Sequence, residues 1–209
     1  MDKADVLNCA LKLFYKKGYN STSMEDIAYE LGIKKASLYY HIKGKQELLY
    51  EMIESIGLKV MSKIEEIEKS NDTTYGKLKK SIHAYALTCL ENIEYTAIIH
   101  DETRSLEDEQ RHFIEKLQKD FISFFKEMFS EGISKGYIVD MDVNILTHLV
   151  LGTCTWVYKW FKPGEKYSPA EMASMVTDFV MRAIIREPQE PAVTGTNHTI
   201  IVKPERKVE

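Results

Sequence analysis

At 209 residues, 44% of them hydrophobic and 11% aromatic, the chain has room for one large domain or a small module joined to a bigger one. No apolar run approaches the roughly 20 residues of a membrane span, and the start "MDKADVLNCALKLFYKKG" does not resemble a secretory signal, so a cytoplasmic protein with no membrane partner is expected. The net charge is −4, yet residues 1–47 carry eight lysines against six acids, and a local excess of this kind leaves an anionic partner open.

In chain order, Val6, Leu7, Ala10, Leu11 and Phe14 share one stripe, predicting a first helix over residues 2–17 that Gly18 stops. Thr22 with Glu25 three residues on reads as a capping box for a second, short helix with Met24, Ile27, Ala28 and Leu31 inward. Gly32 ends it. A third short helix is predicted over 34–41, with Leu38 and Ile42 four apart and both able to point inward. Short helix, glycine turn, short helix is helix-turn-helix spacing.

From residue 45 the apolar period continues unbroken to about 69, predicting one long connecting helix. Further helices are expected over 75–91, 95–101, 107–135, 142–160 and 169–186, separated by "KGYIVDMD" and "KPGEKYSP" among other breaks. Three prolines and no helical period follow, so 188–209 is predicted to be a mobile tail in which "TIIV" is the nearest thing to a strand. The predicted fold is all-α. It consists of an N-terminal three-helix helix-turn-helix domain (1–47) and a larger C-terminal helical domain (48–187). Cys9, Cys89 and Cys154 are odd in number, far apart and without metal-ligand spacing, which suits reduced core thiols and neither a disulfide framework nor a metal site.

The segment "LGIKKASLYYHIKGKQELL" is unusual for its density of lysine and tyrosine. With Leu38 and Ile42 turned inward, 3.6 residues per turn place Lys35, Ser37, Tyr39 and Tyr40 outward. Tyrosine supplies a flat apolar face and a hydroxyl donor, and lysine neutralises phosphate, a combination that suits a helix lying in the major groove of DNA. The bland reading, tyrosines at a core edge and lysines on a solvated rim, ignores the capping box and the glycine turn beside them.

The stretch "GYNSTSMEDIAYELGIKKASLYYHIKGKQELL", residues 18–49, resembles the DNA-binding signature of the TetR-type (TetR/AcrR) transcriptional regulators. The resemblance implies a double-stranded DNA operator read by a homodimer, a small hydrophobic effector, and no cofactor. Carried over by position, Thr22 would cap the second helix and, like Ser23, lie near a phosphate. Lys35, Ala36 and Ser37 would meet base edges, and Tyr39, Tyr40, His41 and Lys45 would grip the backbone. The sequence departs from the family pattern at three places. Lys34 stands where a serine or threonine cap is usual and brings a cation toward the DNA, Ile42 replaces phenylalanine, and Gly44 replaces serine or asparagine.

The resemblance implies that the C-terminal helical domain is for ligand binding and dimerisation, and it places the dimer interface on the last two helices, with Leu149, Thr153 and Val157 on one and Met172, Met175, Val176 and Phe179 on the other. Soft and aromatic residues with a few polar neighbours are candidates to line an effector cavity: Tyr85, Cys89, Asn92, Arg104, Phe121, Phe125, His148 and Trp156. The segment "WVYKWFKPGEKYSPAEM", 156–172, resembles the subset of these regulators that respond to acyl-CoA thioesters, with hydrophobic drugs or dyes as the other effector class. Two rival functions are a helical lipid-binding or adaptor protein without DNA contact and a helix-bundle enzyme. Against the enzyme, no nucleotide, hydrolase or metalloprotease fingerprint is present, and "HDETRSLEDEQRH" offers one Glu-x-x-His, Glu109 to His112, where a di-metal bundle needs two.

Overall fold

The computed structural model describes residues 2–186, apart from the side chain of His41. Among them it has nine α-helices: α1 (Lys3–Lys17), α2 (Met24–Glu30), α3 (Lys35–His41), α4 (Lys45–Glu68), α5 (Thr74–Glu91), α6 (Ile93–Glu102), α7 (Asp108–Ser134), α8 (Val143–Trp156) and α9 (Pro169–Ile184). Short 3₁₀ turns follow α6 at Thr103–Ser105 and α8 at Val157–Lys159. An isolated bridge between Ile138 and Ile185 ties the α7–α8 connection to the end of α9. No described helix is long and apolar enough to cross a membrane. The tail expected over 188–209 lies outside the described residues.

The helix ends follow local chemistry. Asp2 and Asp5 form a reciprocal capping box at the start of α1, while Lys16 and Lys17 close it with the charge that suits a C-terminus. Ser168, Pro169 and Glu171 do the corresponding work at the start of α9. Where one helix was predicted over 142–160, the regular α-helix ends at Trp156. The backbone tightens into a 3₁₀ turn there, ahead of the Pro163–Gly164 turn that redirects the chain to α9.

Two apolar clusters form, and α4 belongs to both. The head cluster takes Val6, Ala10 and Phe14 from α1, Ile27 from α2, and Leu38 with Ile42 from the α3 region. It continues past residue 47 into Leu48, Leu49, Met52 and Ile53, and it also takes Ile98, Leu106 and Ile114 from the α6–α7 corner. The body cluster is built on Leu78, Ile82, Phe125, Phe129, Val150 and Val180, with Ile64 contributed by the far half of α4. Between the two, α7 presses closely on α4. A Cβ at Gly57 would lie 2.5 Å from Leu117 Cδ2, so the missing side chain admits that approach.

Candidate nucleic-acid interface

A seven-residue helix is not stable alone, so α3 is held by what it buries. Leu38 is 0% exposed and Ile42 2%, and a fully buried aliphatic side chain contributes about 1.5–3 kcal/mol. Ile42 therefore fills the place where the family pattern has phenylalanine. With that side sealed, Lys34, Lys35, Ala36, Ser37, Tyr39 and Tyr40 all face outward, Tyr40 being 88% exposed. The turn before α3 needs Gly32, whose φ of 68° is left-handed. No side chain caps α3, as Lys34 in the N-cap position implies.

The outward face has internal electrostatics. The Lys35 ammonium pairs with the Glu25 carboxylate of α2 and lies 5.8 Å from the centre of the Tyr39 ring. Hydrogen bonding to Lys35 holds the Glu25 carboxyl below its ordinary value, and the same contact raises Lys35. Glu25 was not among the expected site residues. Nothing in the linear spacing of ten residues shows that the turn brings the fronts of α2 and α3 together.

Thr22 requires correction on both counts. It is 1% exposed, its hydroxyl donates to the Gly18 carbonyl oxygen at 2.9 Å, and its side chain is not offered to a phosphate. The cap is Ser23. Its Oγ accepts from the Asp26 N–H at 3.1 Å, and the Asp26 carboxylate accepts from the Ser23 N–H at 2.8 Å. "TSMED" contains two overlapping capping frames, and burial of Thr22 selects the second. Lys45 is also engaged within the head: its ammonium donates to the Tyr19 carbonyl oxygen at 2.9 Å and lies 4.3 Å from the centre of that ring. Gly44 provides no side-chain cap for α4. Glu47 compensates by accepting from the Lys43 N–H at 2.6 Å. The expected role of His41 lies outside the described side chains.

In the body, the eight effector candidates separate. Tyr85, Phe121 and Phe125 meet, with ring centres 4.8 Å apart for Tyr85–Phe121 and 5.2 Å for Phe121–Phe125. The Tyr85 hydroxyl lies 2.8 Å from that of Thr155. Cys89 lies beside Tyr85, where burial pushes its thiol up to about 12 and keeps it protonated. Asn92 turns back to donate to the Thr88 carbonyl oxygen at the end of α5. Arg104 is exposed on its 3₁₀ turn, and His148 and Trp156 are exposed on α8. None of these three joins the aromatic cluster; for His148 and Trp156 the reason is that α8 has a second apolar side that faces away from the body.

That second side forms a groove of about 660 Å³ with α9, lined by His148, Leu149, Thr153, Trp156, Met175 and Phe179. Leu149, Trp156 and Phe179 are more than half exposed. Of the other expected interface residues, Val157, Met172 and Val176 are 4%, 8% and 8% exposed within one chain and belong to the body core, while Val157 and Val176 also floor the groove.

Residues 6–52 match the bacterial regulatory proteins of the tetR family, and residues 71–184 match the tetracyclin repressor-like C-terminal domain, which alone spans more than half the chain. The chain belongs to the TetR family. It is similar to the HTH-type transcriptional repressor KstR2 of Mycolicibacterium smegmatis, 27% identical over 187 residues that cover 86% of this chain and 89% of that protein. The solved ketosteroid transcriptional regulator KstR2 of Mycobacterium tuberculosis shares its fold, with TM-score 0.84 and 22% identity over 88% of this chain and 95% of that one. AibR, solved in complex with isovaleryl coenzyme A and operator DNA, gives TM-score 0.74 at 26% identity over 85% of this chain and 96% of its own. TetR membership makes the chain a helix-turn-helix transcriptional regulator and not an enzyme. Among the described residues no three His, Cys, Asp or Glu side chains gather as a metal ion would require.

Proposed function

We propose that the protein is a cytoplasmic, homodimeric repressor that binds a two-fold operator through α3 and leaves it when a small acyl-CoA-type effector binds the helical body. The observation that carries this reading is the sealed inner side of α3, Leu38 and Ile42, opposite an outer side of lysine, serine and tyrosine. Lys35, Ala36 and Ser37 at its front are the base-reading candidates; Ser23, Lys34, Tyr39 and Tyr40 position it on the phosphates. A single head of this size makes few contacts, whereas two heads on one dimer read two half-sites and multiply specificity. The exposed apolar groove of α8 and α9 is the natural seam for that dimer. An obligate dimer interface is richer in apolar side chains than ordinary surface.

For the effector, support comes from the soft aromatic cluster at Tyr85, Cys89, Phe121 and Phe125 and from the similarity to AibR, whose complex holds isovaleryl coenzyme A. The acyl part packs against those rings. A ligand that favours one separation of the two heads shifts the dimer away from the DNA-compatible state, and a coupling of about 1–3 kcal/mol weakens DNA binding roughly 5–150-fold. Selection of bound fragments from random DNA, followed by titration of the complex with acyl-CoA thioesters of increasing chain length, tests both halves. An inverted repeat and a chain-length-dependent release are expected. Failure to enrich any duplex sinks the operator reading, and operator affinity indifferent to every thioester sinks the effector class.

A further inference from the structure

The seam between head and body contains one polar contact whose position makes it more than packing. The Gln46 amide nitrogen, Nε2, donates to the Ser105 carbonyl oxygen at 2.8 Å. Gln46 stands two residues after Gly44, at the very start of α4, and Gly44 itself lies three residues beyond the end of α3. Ser105 ends the 3₁₀ turn between α6 and α7. A contact here acts on the base of the reading head directly, without passing along the 24 residues of α4.

Around it the buried part of the seam is apolar, with the Glu102 carboxylate, which accepts from the Ser105 hydroxyl at 2.9 Å, at its edge. Ile98, Leu106 and Ile114 enter the head cluster, and Tyr50 meets Phe113 edge to face with ring centres 6.3 Å apart. Such contacts hold the two parts together but are non-directional, so they resist separation more than rotation. A hydrogen bond adds direction. Its donor is a side chain whose other amide atom, Oε1, is buried with no protein donor, so an aliphatic side chain would satisfy packing at lower cost. The acceptor lies in a 3₁₀ turn, the kind of tightened segment at which helical chains change course.

We infer that Gln46 is a positioning residue for operator recognition: by gripping the Ser105 carbonyl it fixes the angle of the head on the body, and through the dimer it fixes the spacing between the two copies of α3. This rests on the operator reading above. Because half-sites on one face of B-DNA recur about every 34–36 Å, a change of head angle appears first as a change in the preferred half-site spacing.

The test uses the full-length protein, Gln46→Leu, and duplexes carrying the selected inverted repeat with its half-sites at their own spacing or displaced by one or two base pairs. A duplex with one half-site serves as control. Wild type is expected to prefer one spacing, and Gln46→Leu to lose about fivefold of that discrimination, the worth of one hydrogen bond, while binding the single half-site as before. If Gln46→Leu lowers the melting temperature, Gln46→Met, which keeps the length and lacks the amide, decides the matter. A variant that keeps the wild-type spacing ratio overturns the inference, as does one that loses single half-site affinity in equal measure. A wild-type protein that binds no repeat overturns the operator reading and, with it, this one.

Discussion

The Glu25 carboxylate of α2 and the Lys35 ammonium of α3 form an ion pair on the exposed face that the reading head presents. One of the cations best placed for DNA is therefore already occupied in the free protein. An acid also sits on the face proposed to meet the DNA. Glu25→Gln removes the competitor and one repelling charge. Operator affinity is expected to rise roughly two- to fivefold as Lys35 is freed for the base edges. Fluorescence anisotropy on the selected operator measures it, and an unchanged affinity would show that the pair does not hold Lys35 back from the DNA.

Tyr40 and Leu38 are two residues apart and on opposite sides of α3, 88% and 0% exposed. Tyr40→Ala is expected to weaken operator binding with the melting temperature close to wild type. Leu38→Ala should cost about 2–5 kcal/mol of stability, the usual range for a buried leucine. Paired thermal melts and gel shifts separate the two. If Tyr40→Ala melts early while Leu38→Ala does not, the orientation of α3 is reversed.

Phe179 of α9 is 65% exposed and lines the α8–α9 groove. A charge buried at a dimer seam without a partner is strongly unfavourable. Phe179→Asp is therefore expected to give a folded monomer with unchanged helical circular dichroism and no stable operator complex. Sedimentation velocity reads the outcome. A variant that still sediments as a dimer places the interface elsewhere.

Acid titration should reveal the capping box of α2. Hydrogen bonds from Ser23 lower the Asp26 carboxyl from 3.8 to about 2. Since the folded value lies below the ordinary one, the stabilisation is complete above about pH 4 and is lost as pH falls toward 2. Glu25, lowered by Lys35, follows the same sign. Ser23→Ala should cost about 1 kcal/mol at neutral pH, and a carboxyl NMR titration should show Asp26 moving back up. Thr22→Ser, which retains the buried hydroxyl, is expected to leave the Asp26 titration untouched.

Much of this protein is legible from periodicity. The stripes that predict α1, α4 and α9 are local patterns, and helices form wherever such a stripe can find an apolar partner. The inward pair Leu38 and Ile42, four residues apart, and the outward lysines and tyrosines follow from helix pitch alone. The glycine at 32 and the acid three residues beyond a hydroxyl mark the boundaries of α2, because caps and left-handed turns are set by neighbours within a few residues.

What periodicity could not decide is which of two equivalent local options the rest of the chain would bury. Thr22 and Ser23 each begin a valid capping frame, and contact with the end of α1 buries the first. Trp156 and His148 could line an inner cavity or an outer groove, since α8 is apolar on more than one side, and packing against α5 and α7 turns them out. Lys35 meeting Glu25, Lys45 meeting the Tyr19 carbonyl and Gln46 meeting Ser105 join positions 10, 26 and 59 residues apart. Such pairings arise only when helices have been brought side by side, so the chain alone determined the helices and the chemistry of the reading face. The tertiary structure decided which polar groups are free to act and which are spent on holding that face in place.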